Sequence, residues 1–99
     1  MIRSVDVVPI ASAVPGAVAE LLRRSPLSQG KVAFAWRAAV GPSFDRVTAV
    51  RLEDTALVVE ARTPQWAREV SRSSRIILGR LQTLLGEATV RRIEVRDAS

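Results

Sequence analysis

Thr63-Pro64-Gln65-Trp66-Ala67-Arg68-Glu69-Val70-Ser71-Arg72-Ser73-Ser74-Arg75-Ile76-Ile77-Leu78-Gly79-Arg80-Leu81-Gln82-Thr83-Leu84-Leu85 is the stretch around which this chain is organised. It reads as one long amphipathic helix. Thr63 suits the N-cap, and Pro64 suits the first helical position, where the missing N–H costs nothing. Glu69 falls in the early turns and complements the helix dipole, and Gly86 follows as a stop. At about 100° per residue, Trp66, Val70, Ile77, Leu81 and Leu84 share one side. Arg68, Arg72 and Arg75 form a cationic line on the other, with no carboxylate four residues away to neutralise them. One face is built for burial and the other for anions.

The rest of the chain builds a small domain around this helix. Residues 1–14, interrupted by Pro9, form a lead-in, residues 15–96 a single domain, and 97–99 a tail. From Pro15 to Arg24, Val18, Leu21 and Leu22 lie together, giving a short amphipathic helix that Ser25-Pro26 ends. Arg23 and Arg24 suit its C-terminal dipole, a structural role that competes with a binding one. Ser28 caps a second helix from about Gln29 to Val40, with Val32, Ala35, Trp36, Ala39 and Val40 inward and Gly41-Pro42 as its end. Trp36 is a core anchor. Val47 to Leu52 and Ala56 to Arg62 alternate as strands around the turn Glu53-Asp54-Thr55, with Leu57, Val59 and Ala61 inward. After the long helix a last strand runs from Val90 to Val95, with Ile93 and Val95 inward. The order is α-α-β-β-α-β, an α+β domain whose three-stranded sheet carries helices on one face. If the last strand pairs with the second, that pair is parallel.

Charge is concentrated in the organising stretch. The formal net charge is +5, and every basic residue but Lys31 is arginine, whose planar fork fits phosphate oxygens in pairs. Residues 1–61 carry seven basic and six acidic side chains, and residues 81–99 carry three of each. Residues 62–80 carry five arginines against Glu69 alone, a net of +4. Such a local excess is the footprint of a polyanionic partner, and nucleic acid fits it best. Arg62, Arg68, Arg72 and Arg75 are the candidate nucleic-acid-binding residues. Trp66 fits two roles, packing at the helix start or anchoring a partner.

Several chemistries have no residues to carry them. There is no cysteine and no histidine, so disulfides, thiolate metal sites and the commonest general base are absent. Ser71, Ser73 and Ser74 have no histidine to activate them, and no phosphate-cradling glycine loop or paired metal carboxylates occur. The chain reads as non-enzymatic, with no cofactor, metal or small-molecule substrate. No apolar run is long enough to span a bilayer and Asp6 and Pro9 break any secretion-signal core, so a cytoplasmic location without membrane contact is expected. The arrangement of elements suggests a KH-like nucleic-acid module. KH domains clamp backbone in a Gly-x-x-Gly loop between two helices. The linker Ser25-Pro26-Leu27-Ser28-Gln29-Gly30 holds one glycine only, and two tryptophans and two phenylalanines, with no tyrosine, leave no exposed aromatics for stacking. Contacts to phosphate are therefore expected, without base-specific readout.

Three segments together resemble one family. They are Ala35-Trp36-Arg37-Ala38-Ala39-Val40-Gly41-Pro42; Leu57-Val58-Val59-Glu60-Ala61-Arg62-Thr63-Pro64-Gln65-Trp66-Ala67-Arg68-Glu69-Val70; and Leu81-Gln82-Thr83-Leu84-Leu85-Gly86 followed by Val90-Arg91-Arg92-Ile93. In this order and spacing they resemble the DciA family, bacterial proteins that assist loading of the replicative DnaB-type helicase. The similarity covers roughly residues 15–96. It implies a KH-like fold without the clamping loop, binding to DNA and contact with that helicase, but singles out no helicase-contacting residue. The turn Glu53-Asp54-Thr55 departs from the Asp-Gly frequent in relatives, many of which also carry long flanking segments. Two further readings of the residues stay open: a KH-like RNA-binding module, and an adaptor whose arginines meet an acidic protein.

Overall fold

A computed structural model describes residues 16–97; the expected lead-in over residues 1–14 lies outside the described residues. The first helix, α1 (Gly16–Arg24), ends where Ser25 bonds back to the Leu21 carbonyl through both its N–H and its hydroxyl. Helix α2 (Gln29–Val40) starts as its sequence demands, with the Ser28 hydroxyl accepting the Lys31 N–H at 3.1 Å. It stops at Gly41, whose φ of 88° and ψ of 167° fall in a region that only glycine occupies freely. Pro42 does not simply terminate it. Gly41 serves at once as C-cap of α2 and N-cap of a short helix, α3 (Pro42–Arg46), with Pro42 in its first turn and Asp45 toward its positive end.

Strands β1 (Thr48–Glu53) and β2 (Ala56–Ala61) form an antiparallel hairpin in which Glu53 faces Ala56. The turn Asp54-Thr55 places Asp54 at φ 55°, a left-handed conformation that Asp tolerates better than most side chains. The last strand, β3 (Arg92–Asp97), pairs with β2 in parallel, giving sheet order β1-β2-β3. It begins two residues later than expected, because the Arg91 N–H is committed to the Thr55 carbonyl at 2.7 Å and the ladder opens at Arg92.

The long helix is two helices. Helix α4 (Pro64–Arg72) and helix α5 (Ser74–Leu85) meet at Ser73, which has φ −98° and ψ 6°. The Ser73 N–H is shared between the Glu69 and Val70 carbonyls, and helical bonding resumes with Ile77 N–H to the Ser73 carbonyl at 3.0 Å. Two causes act together. Ser71, Ser73 and Ser74 are weak helix formers whose hydroxyls compete with the backbone. The two halves also serve different neighbours, since α4 lies on β2 and β3 while α5 packs chiefly on α2 and α1.

The core lies between the inner sheet face and these helices. Trp36, Leu57, Val59, Val70, Leu81 and Val90 are fully buried, and Val50, Leu52, Ile93 and Val95 pack against them. Helix α1 buries only Leu22 of the three residues expected to face inward. Its docking on α5, where Arg23 donates to the Thr83 carbonyl at 2.6 Å, turns Ala19 and Leu22 inward and leaves Val18 and Leu21 40% and 67% exposed.

Candidate nucleic-acid interface

All four candidate arginines have exposed positions, in the link after β2 and on the two helices that follow it. Arg62 follows β2 directly, and its N–H still pairs with the Val47 carbonyl at 2.9 Å. Arg68 and Arg72 ride on α4, whose start is fixed by the Thr63 hydroxyl accepting the Trp66 N–H at 3.2 Å. Arg75 belongs to the first turn of α5, beyond the break at Ser73. The single straight line of arginines expected from one helix is therefore interrupted between Arg72 and Arg75.

These arginines are weakly neutralised and lie close together in the chain. The side chains of Arg62, Arg68 and Arg75 make no ion pair or hydrogen bond with any described residue. Arg72 reaches Glu69, three residues back, only at 3.7 Å, between exposed side chains, an arrangement of small energetic value. The arginines of α1 and Arg80, by contrast, are engaged, while Arg37, Arg46 and Arg91 are exposed without a described side-chain partner. Arg23 and Arg24 pair with Glu20, and Arg80 donates to the Ala39 carbonyl at 3.0 Å, closing the C-terminal end of α2. Arg23 also holds α1 to α5, so its role is structural.

The outer sheet face shows the contrast most clearly. There Arg51, Arg92 and Arg96 alternate with Glu53, Glu60 and Glu94 over a fully buried Val58. Arg51 bonds to Glu53 at 2.5 Å and Glu60 at 3.3 Å, while Glu94 takes Arg96 at 3.0 Å and Arg92 at 3.5 Å. The Arg51 hydrogen bond holds the Glu53 carboxyl below its ordinary range, and the same contact, with that to Glu60, raises the Arg51 guanidinium. Three cations meet three anions, and this face presents no net charge to a polyanion.

Three features of the site were not read from the sequence. Helix α3 brings Phe44 against Trp66, edge to face, with centroids 5.3 Å apart. Trp66 is consequently half-buried rather than a core residue, beside a shallow hollow shared with Gln65, Arg68 and Glu69. Aromatic surface is also more accessible than composition implied: Phe34 is 50% exposed, and Phe44 and Trp66 are partly so. Arg46, exposed and without a described side-chain partner, precedes Val47, the residue that accepts the Arg62 N–H. Pro at the first helical position and Asp45 behind it were the available signals for α3.

Among the described residues no group of three carboxylates, histidines or cysteines is placed to hold a metal, and no helix is long and apolar enough to cross a membrane. A hairpin, a two-helix crossover and a parallel third strand, edged by unpaired arginines, define a small KH-like α+β module. The chain belongs to the DciA family: the family model described as "Dna[CI] antecedent, DciA" matches residues 9–95, nearly the whole chain. Membership supports a role in DNA replication, in loading of the DnaB helicase, and implies association with that helicase. No curated protein and no solved structure matched the chain.

Proposed function

We propose that this protein binds the DNA backbone through Arg62, Arg68, Arg72 and Arg75 while it helps place the replicative helicase, and that it catalyses no reaction itself. The observation carrying this reading is the segregation of charge. The arginines of the outer sheet face and of α1 are paired, whereas from Arg62 to Arg75, the run of chain with the largest cationic excess, only Arg72 has an ion pair, a long exposed one to Glu69. Guanidinium groups meet phosphates without base information, so binding is indifferent to sequence. That suits a factor acting wherever a helicase is placed.

The test is a titration of labelled single-stranded and duplex DNA with the wild-type protein, Arg72→Glu and the Arg68→Glu/Arg75→Glu double variant. Each should weaken binding to unrelated sequences alike, with unchanged thermal melting. Unchanged DNA affinity in the double variant would refute the reading. Retention of the helicase from nuclease-treated lysate separates direct contact with it from tethering through DNA.

A further inference from the structure

We infer that the cleft between α2, α3 and α5 receives a base of single-stranded DNA, so that the protein distinguishes single strands from duplex at this point. The inference rests on the proposed DNA contact and adds to it which form of DNA the site accepts. Val40, Phe44, Ile76 and Ile77 supply apolar lining, and Ser73 and Arg80 stand beside them. Ser73, Ile76, Ile77 and Arg80 follow one another at i, i+3, i+4 and i+7, so one face of α5 forms a whole wall. Ile76 is 62% exposed, a large aliphatic side chain left in water on a helix whose neighbouring apolar residues are buried. Phe44 lines the cleft and meets Trp66, so apolar surface continues from the cleft toward the start of α4.

The surroundings say what such a cleft accepts. No acidic residue lines it, Arg80 does, and Arg72 immediately precedes the lining residue Ser73. An occupant with an apolar body and a negative charge beside it matches this apolar lining and its cationic residue. An unstacked nucleotide does so, with a base on one side and phosphate on the other. A duplex presents its phosphates but keeps its base faces stacked inside. Contact with a base face is tolerant of sequence, in keeping with the absence of any base-edge reader.

The experiment compares wild type, Ile76→Ser and Arg72→Glu by fluorescence anisotropy against a labelled single strand and a duplex of equal length. Loss of an aliphatic contact of this size should weaken single-strand binding by about five-fold in Ile76→Ser. Its duplex affinity and its salt dependence should stay at wild-type values, because no phosphate contact is removed. Arg72→Glu should weaken both forms. Thermal melting checks folding, and Ile76→Thr, which keeps the β-branched shape, decides the matter if the serine variant is unstable. Equal loss on both DNAs, or no loss on the single strand, overturns the inference. So does an Ile76→Ser protein with normal single-strand affinity that no longer retains the helicase, which makes the cleft a protein-docking site. Failure of the wild-type protein to bind any DNA instead strikes the underlying proposal.

Discussion

Replacing Thr48 by valine should cost this domain about 1–3 kcal/mol, more than the one lost hydroxyl suggests. Trp36 is 1% exposed, and its indole N–H donates to Thr48 Oγ1 at 2.8 Å. The same hydroxyl donates to the Phe44 carbonyl at 2.7 Å, so one oxygen ties α2 to β1 and α3. Valine keeps the branched shape and removes both bonds. The Phe44 carbonyl retains a partner, since it also accepts the Val47 N–H at 3.1 Å. The penalty therefore falls on the indole N–H, which is left buried and unpaired. That leaves the desolvation cost without compensation, where a made-and-lost hydrogen bond nets only about 1 kcal/mol. In a domain of this size the loss should lower the melting temperature by about 4–8 °C per kcal/mol. Thermal and urea denaturation followed by circular dichroism measure it. A cycle with Trp36→Phe isolates the pair: with the donor already gone, Thr48→Val should cost about 1 kcal/mol less. Equal costs in both backgrounds would refute the relay.

Three other outcomes follow from the packing. Gly41→Ala should destabilise by about 1–3 kcal/mol although the added methyl meets open space, because the cost is backbone strain at φ 88°; denaturant midpoints measure it. Trp36→Ala should cost about 3–5 kcal/mol, whereas Trp66→Ala, losing a half-buried ring and one edge-to-face contact, should cost about 1–3 kcal/mol, as paired urea titrations would show. On acidification, stability that Glu53 contributes above its unfolded value of about 4.3 should be lost as pH falls through its depressed folded value. Because the pair is exposed the effect is small, and a pH series of melts should show a shallower acid slope in Glu53→Gln.

Much of the fold was legible because its boundaries are written in local chemistry. Ser28 and Gly41 bracket α2, Thr63-Pro64 starts α4, Gly86 ends α5, and alternation in β1 and β2 gives the hairpin. The break at Ser73 was hidden because Trp66, Val70, Ile77, Leu81 and Leu84 keep a common angular phase, and periodicity registers angle without registering continuity. Helix α3 was hidden by the same Gly41-Pro42 pair that ends α2. The buried side of α1 was misread because large apolar residues weight a helical wheel more than Ala19 does, while close docking on α5 favours the small residue. For the site, the sequence located the cationic excess. Its significance needed the side-chain geometry: Arg51, Arg92 and Arg96 pair with Glu53 and Glu94 two residues away on their own strands, and Arg51 also with Glu60 on β2, while Arg62, Arg68 and Arg75 have no described partner.

The salt dependence of DNA affinity tests the central claim most directly, because it counts the phosphates neutralised. If Arg62, Arg68, Arg72 and Arg75 engage three or four of them, log Kd plotted against log salt should have a slope of magnitude about 2–4, depending on strandedness. Reversing Arg68, Arg72 and Arg75 to glutamate should remove most of that slope along with most of the affinity, while the protein remains folded. A triple variant that binds DNA with the wild-type affinity and the wild-type slope would contradict the account, and would make these arginines a solvated face.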